Sequence, residues 1–162
     1  VGKNLRMIGP NEAATPEQVA AQAEEFGADM VVIDGFYYMD GPGDDRWKKV
    51  EYNMRQMRLH TLMSNRHYML ATQLQRGKGT LNQAQPDTVA FSSSISHDSN
   101  NMIFLVPPKD PGNNTRTIDQ KLGKARDGDI DQPYRFQWDY FDMRFAQLGP
   151  VQDMSQAAQS AY

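Results

Sequence analysis

Four apolar residues run unbroken from Met30 to Ile33 between two aspartates. This is the pattern of a central parallel strand covered on both faces. A helix is predicted before it. Thr15 suits the N-cap, Pro16 fits the first helical position and Gln18 completes a capping box. Val19, Ala23 and Phe26 then fall on one helical face, and Gly27 ends the helix. Leu5-Arg6-Met7-Ile8 predicts a strand ahead of that helix, so the chain begins as a strand–helix–strand unit of α/β type.

Further on, Val50, Met54, Met57 and Thr61, with Leu62 adjoining, form a stripe at helical spacing and predict a long helix over about residues 46–65. A loop of Gly, Pro and Asp at residues 40–45 precedes it. Arg46, Lys48, Lys49, Arg55 and Arg58 are scattered around this helix, as solvated helix charges are, rather than gathered into a nucleic-acid track. A strand at 68–72 follows, then a polar connector at 77–86. Residues 91–98 read as a short helix or a loop, 102–106 as a buried strand, and 107–115 as a loop of Pro, Gly and Asn. The last third predicts three strands, at about 117–125, 134–138 and 143–147. In the second of them, apolar and polar residues alternate as in a half-exposed antiparallel strand. Residues 1–150 carry these elements, and 151–162 form a polar tail rich in Ala and Gln.

Composition narrows the picture. The 162 residues suffice for one domain or part of a larger one. The chain starts at Val1 and enters the first predicted strand almost at once, which reads as a piece of a longer polypeptide. A net charge of −3 supplies no global basic field for nucleic acid, so any such binding falls to a local patch. The absence of cysteine excludes a disulfide framework and cysteine zinc sites and fits a cytoplasmic location. No apolar run approaches the length of a membrane span. The ten methionines are spread over helices and strands, as core filling requires.

The candidate chemistry sits at strand ends. In open α/β sheets ligands bind beyond the carboxyl ends of the strands, which is where Asp34 follows Ile33. An apolar strand ending in Asp is the Walker B pattern, whose carboxylate helps to hold Mg²⁺ on nucleotide phosphates. Gln73 ends the next predicted strand and so lies near Asp34. A carboxylate beside an amide suits a magnesium–nucleotide site, the amide sensing the terminal phosphate. The plainer alternative is that Asp34 caps a turn and Gln73 bonds nearby backbone. Lys124 and Arg126 close another strand, on one face by alternation. They pair with surface carboxylates, or they reach a phosphate; an arginine supplied across an interface to a γ-phosphate is worth about 10³–10⁵ in rate. Gly2-Lys3-Asn4 fails as the end of a phosphate-binding loop, because Asn stands where Ser or Thr would ligate Mg²⁺ and a strand is predicted where a helix should begin. His60, His67 and His97 show no metal-ligand spacing.

These segments, in this order, resemble the ATPase domain of the DnaB-type replicative helicases. The TPEQV helix precedes VVIDGFYYM, which is similar to the family's IDYLQLM strand. ATQLQR is similar to SQLNR, PDTVAFSSSISHDSNNMIFLV to DLRESGSIEQDADLIMFIY, and GKARDGD to KQRNG. The resemblance runs from about Leu5 to Leu148, with low identity outside the motifs. It implies a RecA-like three-layer α/β fold, with a mainly parallel sheet and antiparallel C-terminal strands, lacking the phosphate-binding-loop portion. Residues 1–150 would be the C-terminal part of that ATPase domain.

By the same resemblance, Asp34 is the Walker B carboxylate near Mg²⁺ and Gln73 the sensor at the γ-phosphate of ATP. Lys124 and Arg126 act in trans, Arg126 as arginine finger. Arg76 and the region 89–94 lie toward a channel for single-stranded DNA. The family's Arg-Glu-Ser-Gly DNA loop aligns with Val89-Ala90-Phe91-Ser92, which lacks the charged pair. Grip there falls to backbone amides, to Ser92, Ser93 and Ser94, or to Arg76 and Lys78. The phosphate-binding loop and catalytic glutamate of the family would lie upstream of Leu5, so this segment alone is expected not to hydrolyse ATP. The implied assembly is a homo-hexamer that moves 5′ to 3′ on DNA, with a primase and a helicase loader as partners. Divergence with retained motif order suits a phage-encoded helicase. A RecA-type recombinase or KaiC-like ATPase, and a non-catalytic RecA-like assembly module, are the rival readings.

Overall fold

The computed structural model describes residues 4–90, 93–107, 116–130, 132–139, 142 and 144–151. They fall into two compact units, Val1–Gln75 with Val89–Ser99 and Arg76–Thr88 with Asn100–Tyr162.

In the first unit, helix α1 spans Pro16–Phe26 and starts as its sequence dictates. The Thr15 hydroxyl accepts from the Gln18 backbone N–H at 3.4 Å, and the Gln18 side chain accepts in return from the Thr15 N–H at 3.1 Å. Gly27 ends the helix in the left-handed region at φ 69°. Pro16, Val19 and Ala23 are buried, whereas Phe26 at the last turn is partly exposed. Helix α2, Arg46–Ser64, closes at Asn65, which also adopts positive φ. It buries Val50, Asn53, Met54 and Met57, but its final turn lies outside the core, leaving Leu62 70% exposed. The short helix α3, Ser93–Asp98, packs on α2. There the Arg58 guanidinium donates to the Asp98 carbonyl at 2.9 Å.

Strands β1 (Met30–Ile33) and β2 (His67–Leu70) pair in parallel, with Val31 opposite Tyr68 and Ile33 opposite Leu70. Those four residues are half-buried. On the other face Met30, Val32 and Met69 are 50–63% exposed. The unbroken apolar run of β1 is thus covered on one face only, which corrects the expectation of a strand buried on both. Side chains alternate across any strand, and the helices of a two-stranded unit cover a single side. Residues 5–9 form no strand; Leu5, Met7 and Ile8 are exposed, and the stretch has no ladder partner among the described residues.

The second unit is a four-stranded antiparallel sheet in the order β3 (Asn101–Val106), β4 (Arg116–Ala125), β5 (Tyr134–Asp139), β6 (Arg144–Pro150). Along β3, Met102, Phe104 and Val106 are buried while Ile103 and Leu105 face outward. Asp119 of β4 is buried opposite Arg135 of β5, whose guanidinium donates two hydrogen bonds to its carboxylate at 2.6 and 2.9 Å. The polar connector packs in this unit. Ala84 is fully buried, and its carbonyl accepts from the Lys121 ammonium at 3.1 Å.

Strand pairing among the described residues is therefore mostly antiparallel, against the expectation of a mainly parallel sheet: β1 and β2 supply the parallel pair, and β3 to β6 pair antiparallel throughout. The polar tail from residue 152 onward and most of the predicted loop at 107–115 lie outside the described residues. No helix among the described residues is long and apolar enough to cross a membrane.

Candidate functional site at the ends of the parallel strands

Two backbone hydrogen bonds lock the ends of β1 and β2 together. The Ala71 N–H donates to the Ile33 carbonyl at 2.9 Å, and the Phe36 N–H donates to the Ala71 carbonyl at 3.0 Å. Between them the chain turns at Gly35, which takes φ 75°; a Cβ there would also press on the Tyr38 ring at 3.1 Å. Asp34 stands exposed at the tip of β1. The following residues, Phe36–Tyr38, form one turn of 3₁₀ helix anchored by the fully buried Phe36. Helix α2 fixes the far side of this turn: the buried Asn53 amide donates to the Met39 carbonyl at 3.2 Å. Gly41 passes so close to Asn53 that a Cβ would stand 2.6 Å from Oδ1.

Gln73 lies just past β2 and is exposed. Its amide Nε2 donates to the Tyr37 hydroxyl at 2.8 Å. Its carbonyl accepts from the Ala90 N–H at 2.9 Å, and Leu74 bridges antiparallel to Val89. Gln73 is thus tied through its side chain to the turn after Asp34 and through its backbone to the segment leading into α3. Ser93 is exposed at the start of α3 and Ser94 is half-buried; Ser92 lies outside the described residues.

Two tyrosines and an arginine complete the cluster, and none of them is among the site residues expected from sequence. The Tyr37 hydroxyl is held above the ordinary phenol range, chiefly by hydrogen bonding with Tyr38, with desolvation and the charges of Tyr38 and Asp34 adding and Arg46 opposing. Arg46 donates to the Tyr37 carbonyl at 3.3 Å, and its guanidinium lies 5.4 Å from the centre of the Tyr38 ring. The signal available was Phe36-Tyr37-Tyr38 directly after the strand-ending Asp34-Gly35: a glycine turn there aims the next aromatics at the mouth of the sheet. Of the helix cations read as solvated, Lys49 pairs with Asp40 at 2.7 Å and Arg46 belongs to this cluster.

The remaining candidates belong to the second unit. Lys124 sits next to last in β4, half-buried, and Arg126 is exposed one residue beyond it, its N–H donating to the Asn100 carbonyl at 3.0 Å. The register of β3 and β4 shifts at Gly123, so a bulge immediately precedes Lys124 and re-aims the strand end. Arg76 and Lys78 are exposed in the connector.

Among the described residues no group of three or more His, Cys, Asp or Glu side chains gathers to hold a metal. Mg²⁺ requires no such cage, since it is commonly held by one or two carboxylates together with substrate phosphates. Asp34 offers one exposed carboxylate at a strand tip, the kind of ligand that use needs.

No family model and no curated protein matches the sequence. Among solved structures, the chain is similar to a DnaB-like replicative helicase described with its interactions with primase. The TM-score is 0.68 at 13% identity, over 79% of this chain. The match spans 34% of the helicase chain, about a third of its length. At that identity the likeness concerns architecture: this chain has the fold of part of a DnaB-like replicative helicase.

Proposed function

We propose that this chain is the C-terminal part of the RecA-like ATPase domain of a replicative DNA helicase, a ring motor that moves on single-stranded DNA by hydrolysing ATP between subunits. The observation that carries the reading is the junction of Asp34, Tyr37 and Gln73 at the carboxyl ends of two parallel strands, in a fold of the helicase kind. Strand ends at this edge of a sheet are where α/β proteins bind ligands.

In this reading Asp34 and Gln73 face ATP and Mg²⁺ on one side of a subunit boundary. When bound, the metal neutralises charge on the phosphates. Asp34 would hold it through an exposed carboxylate, directly or through one of the ion's waters. Gln73 offers an amide to the terminal phosphate, and its backbone bond to Ala90 passes any movement to the segment at residues 89–94, where Ser92, Ser93 and Ser94 would meet the DNA backbone. Lys124 and Arg126 serve the neighbouring subunit's nucleotide, with Arg126 as finger, and Arg76 and Lys78 add charge for DNA phosphates. A homo-hexamer, a primase and a loader are the partners of this reading, a host cytoplasm its location, and a phage its source. The catalytic base and the phosphate-binding loop are assigned to other parts of the machine, so the segment alone is expected to be inactive.

The test is ATP hydrolysis by the complete natural polypeptide, with and without single-stranded DNA, followed by unwinding of a forked duplex. DNA-stimulated turnover with unwinding supports the reading. Turnover with strand exchange and filaments in place of unwinding would indicate a recombinase, and no turnover at all would indicate an assembly module.

A further inference from the structure

Gln73 is exposed, and an exposed glutamine samples many rotamers at little energetic difference. Here one partner narrows that freedom. Tyr37 presents its hydroxyl oxygen to Gln73 Nε2 at 2.8 Å, and Tyr37 is itself held at several points. Its ring packs against Tyr38 with centroids 4.2 Å apart. Its carbonyl accepts from Arg46, and the turn that carries it is pinned by buried Phe36 and by the Asn53 bond to Met39. A side chain fixed in this way can fix its neighbour. The contact also has a direction: with Nε2 occupied by Tyr37, the amide plane is set, and Oε1 and the second N–H project away from the phenol.

We infer that Tyr37 is a positioning residue for Gln73, holding the amide in the orientation from which it meets the terminal phosphate beside Asp34. This inference rests on the ATP-dependent reading of the site. It adds to that reading a residue without a direct role in the chemistry, acting through the sensor by one hydrogen bond. Its substrate class is unchanged, a magnesium nucleoside triphosphate; what it sets is the fraction of time the sensor is correctly aimed.

The experiment is a double-mutant cycle on DNA-stimulated ATP hydrolysis by the complete natural polypeptide, using Tyr37→Phe, Gln73→Ala and the pair. Tyr37→Phe removes the accepting oxygen, and with it the hydroxyl's hydrogen bonding with Tyr38, but keeps the ring on Tyr38 and the backbone bonds, with the thermal midpoint as control for folding. Gln73→Ala is expected to abolish most stimulated turnover. Tyr37→Phe is expected to lower kcat about fivefold, the value of one hydrogen bond, and to leave the KM for ATP unchanged. In the Gln73→Ala background it is expected to have no further effect. An equal loss from Tyr37→Phe with and without Gln73 would overturn the positioning role and leave the site reading standing. Full activity in Gln73→Ala would remove both.

Discussion

Gly123 runs beneath the ring of Phe104 so closely that a Cβ on it would stand 2.0 Å from Cε2. Phe104 is buried in β3, where core side chains have little room to swing. The bulge that this contact permits also decides how β4 delivers Lys124 and Arg126. Gly123→Ala is therefore expected to destabilise the fold by about 1–3 kcal/mol, the usual penalty of overpacking. Urea denaturation measures it, and a change below a few tenths would show that the ring moves freely.

A second prediction concerns Asp119 and Arg135. The carboxylate is buried and the guanidinium about one-third exposed, joined by two short hydrogen bonds. Removing the arginine strands a buried charge. Arg135→Ala is thus expected to cost about 2–4 kcal/mol, somewhat below the figure for a fully buried pair because water reaches the guanidinium. Asp119→Ala should cost less, since the arginine left behind can hydrate. The double variant should cost less than the sum. Equilibrium unfolding of the three variants checks the order.

Acid should loosen the loop before α2. The Lys49 ammonium, followed by the Gly41 N–H, holds the Asp40 carboxyl below its ordinary value of 3.8. A carboxylate with a depressed folded-state pKa contributes stability that is complete above the unfolded value and is lost as pH falls through the folded one. The Asp40–Lys49 contribution is therefore present at neutral pH and disappears below pH 3.8. A carbon-detected titration of Asp40 is expected to show an upward shift in Lys49→Ala, toward the ordinary carboxylate range. No shift would show that the ammonium does not reach it in solution.

Local signals were the legible part of the sequence. Thr15, Pro16, Gln18 and Gly27 state the limits of α1 outright, because each satisfies a backbone requirement that the neighbouring residues create. The stripe of Val50, Met54 and Met57 states the buried face of α2 in the same way. The three antiparallel strands at the end were readable from alternation and turns to within a few residues. Burial of β1 was not. The run from Met30 to Ile33 records that both faces can be apolar, whereas exposure depends on what packs against each, and that is a long-range matter. At the site, the placement of Asp34 and Gln73 just past the ends of paired strands followed from strand order. The bond between Tyr37 and Gln73 did not, since a contact between residues 36 positions apart leaves no mark at either end. The role of Gly123 was hidden for the same reason: its partner lies on another strand.

If the nucleotide site is shared between subunits, two inactive variants should complement each other when mixed. Asp34→Asn would disable one side of each site and Arg126→Ala the other, so each complete polypeptide alone should show little DNA-stimulated turnover. In rings assembled from an equal mixture, about a quarter of the interfaces would combine an intact Asp34 with an intact Arg126 from the neighbour. Turnover is expected to rise well above that of either variant alone. A mixture no more active than its components, with rings of normal size, would contradict it.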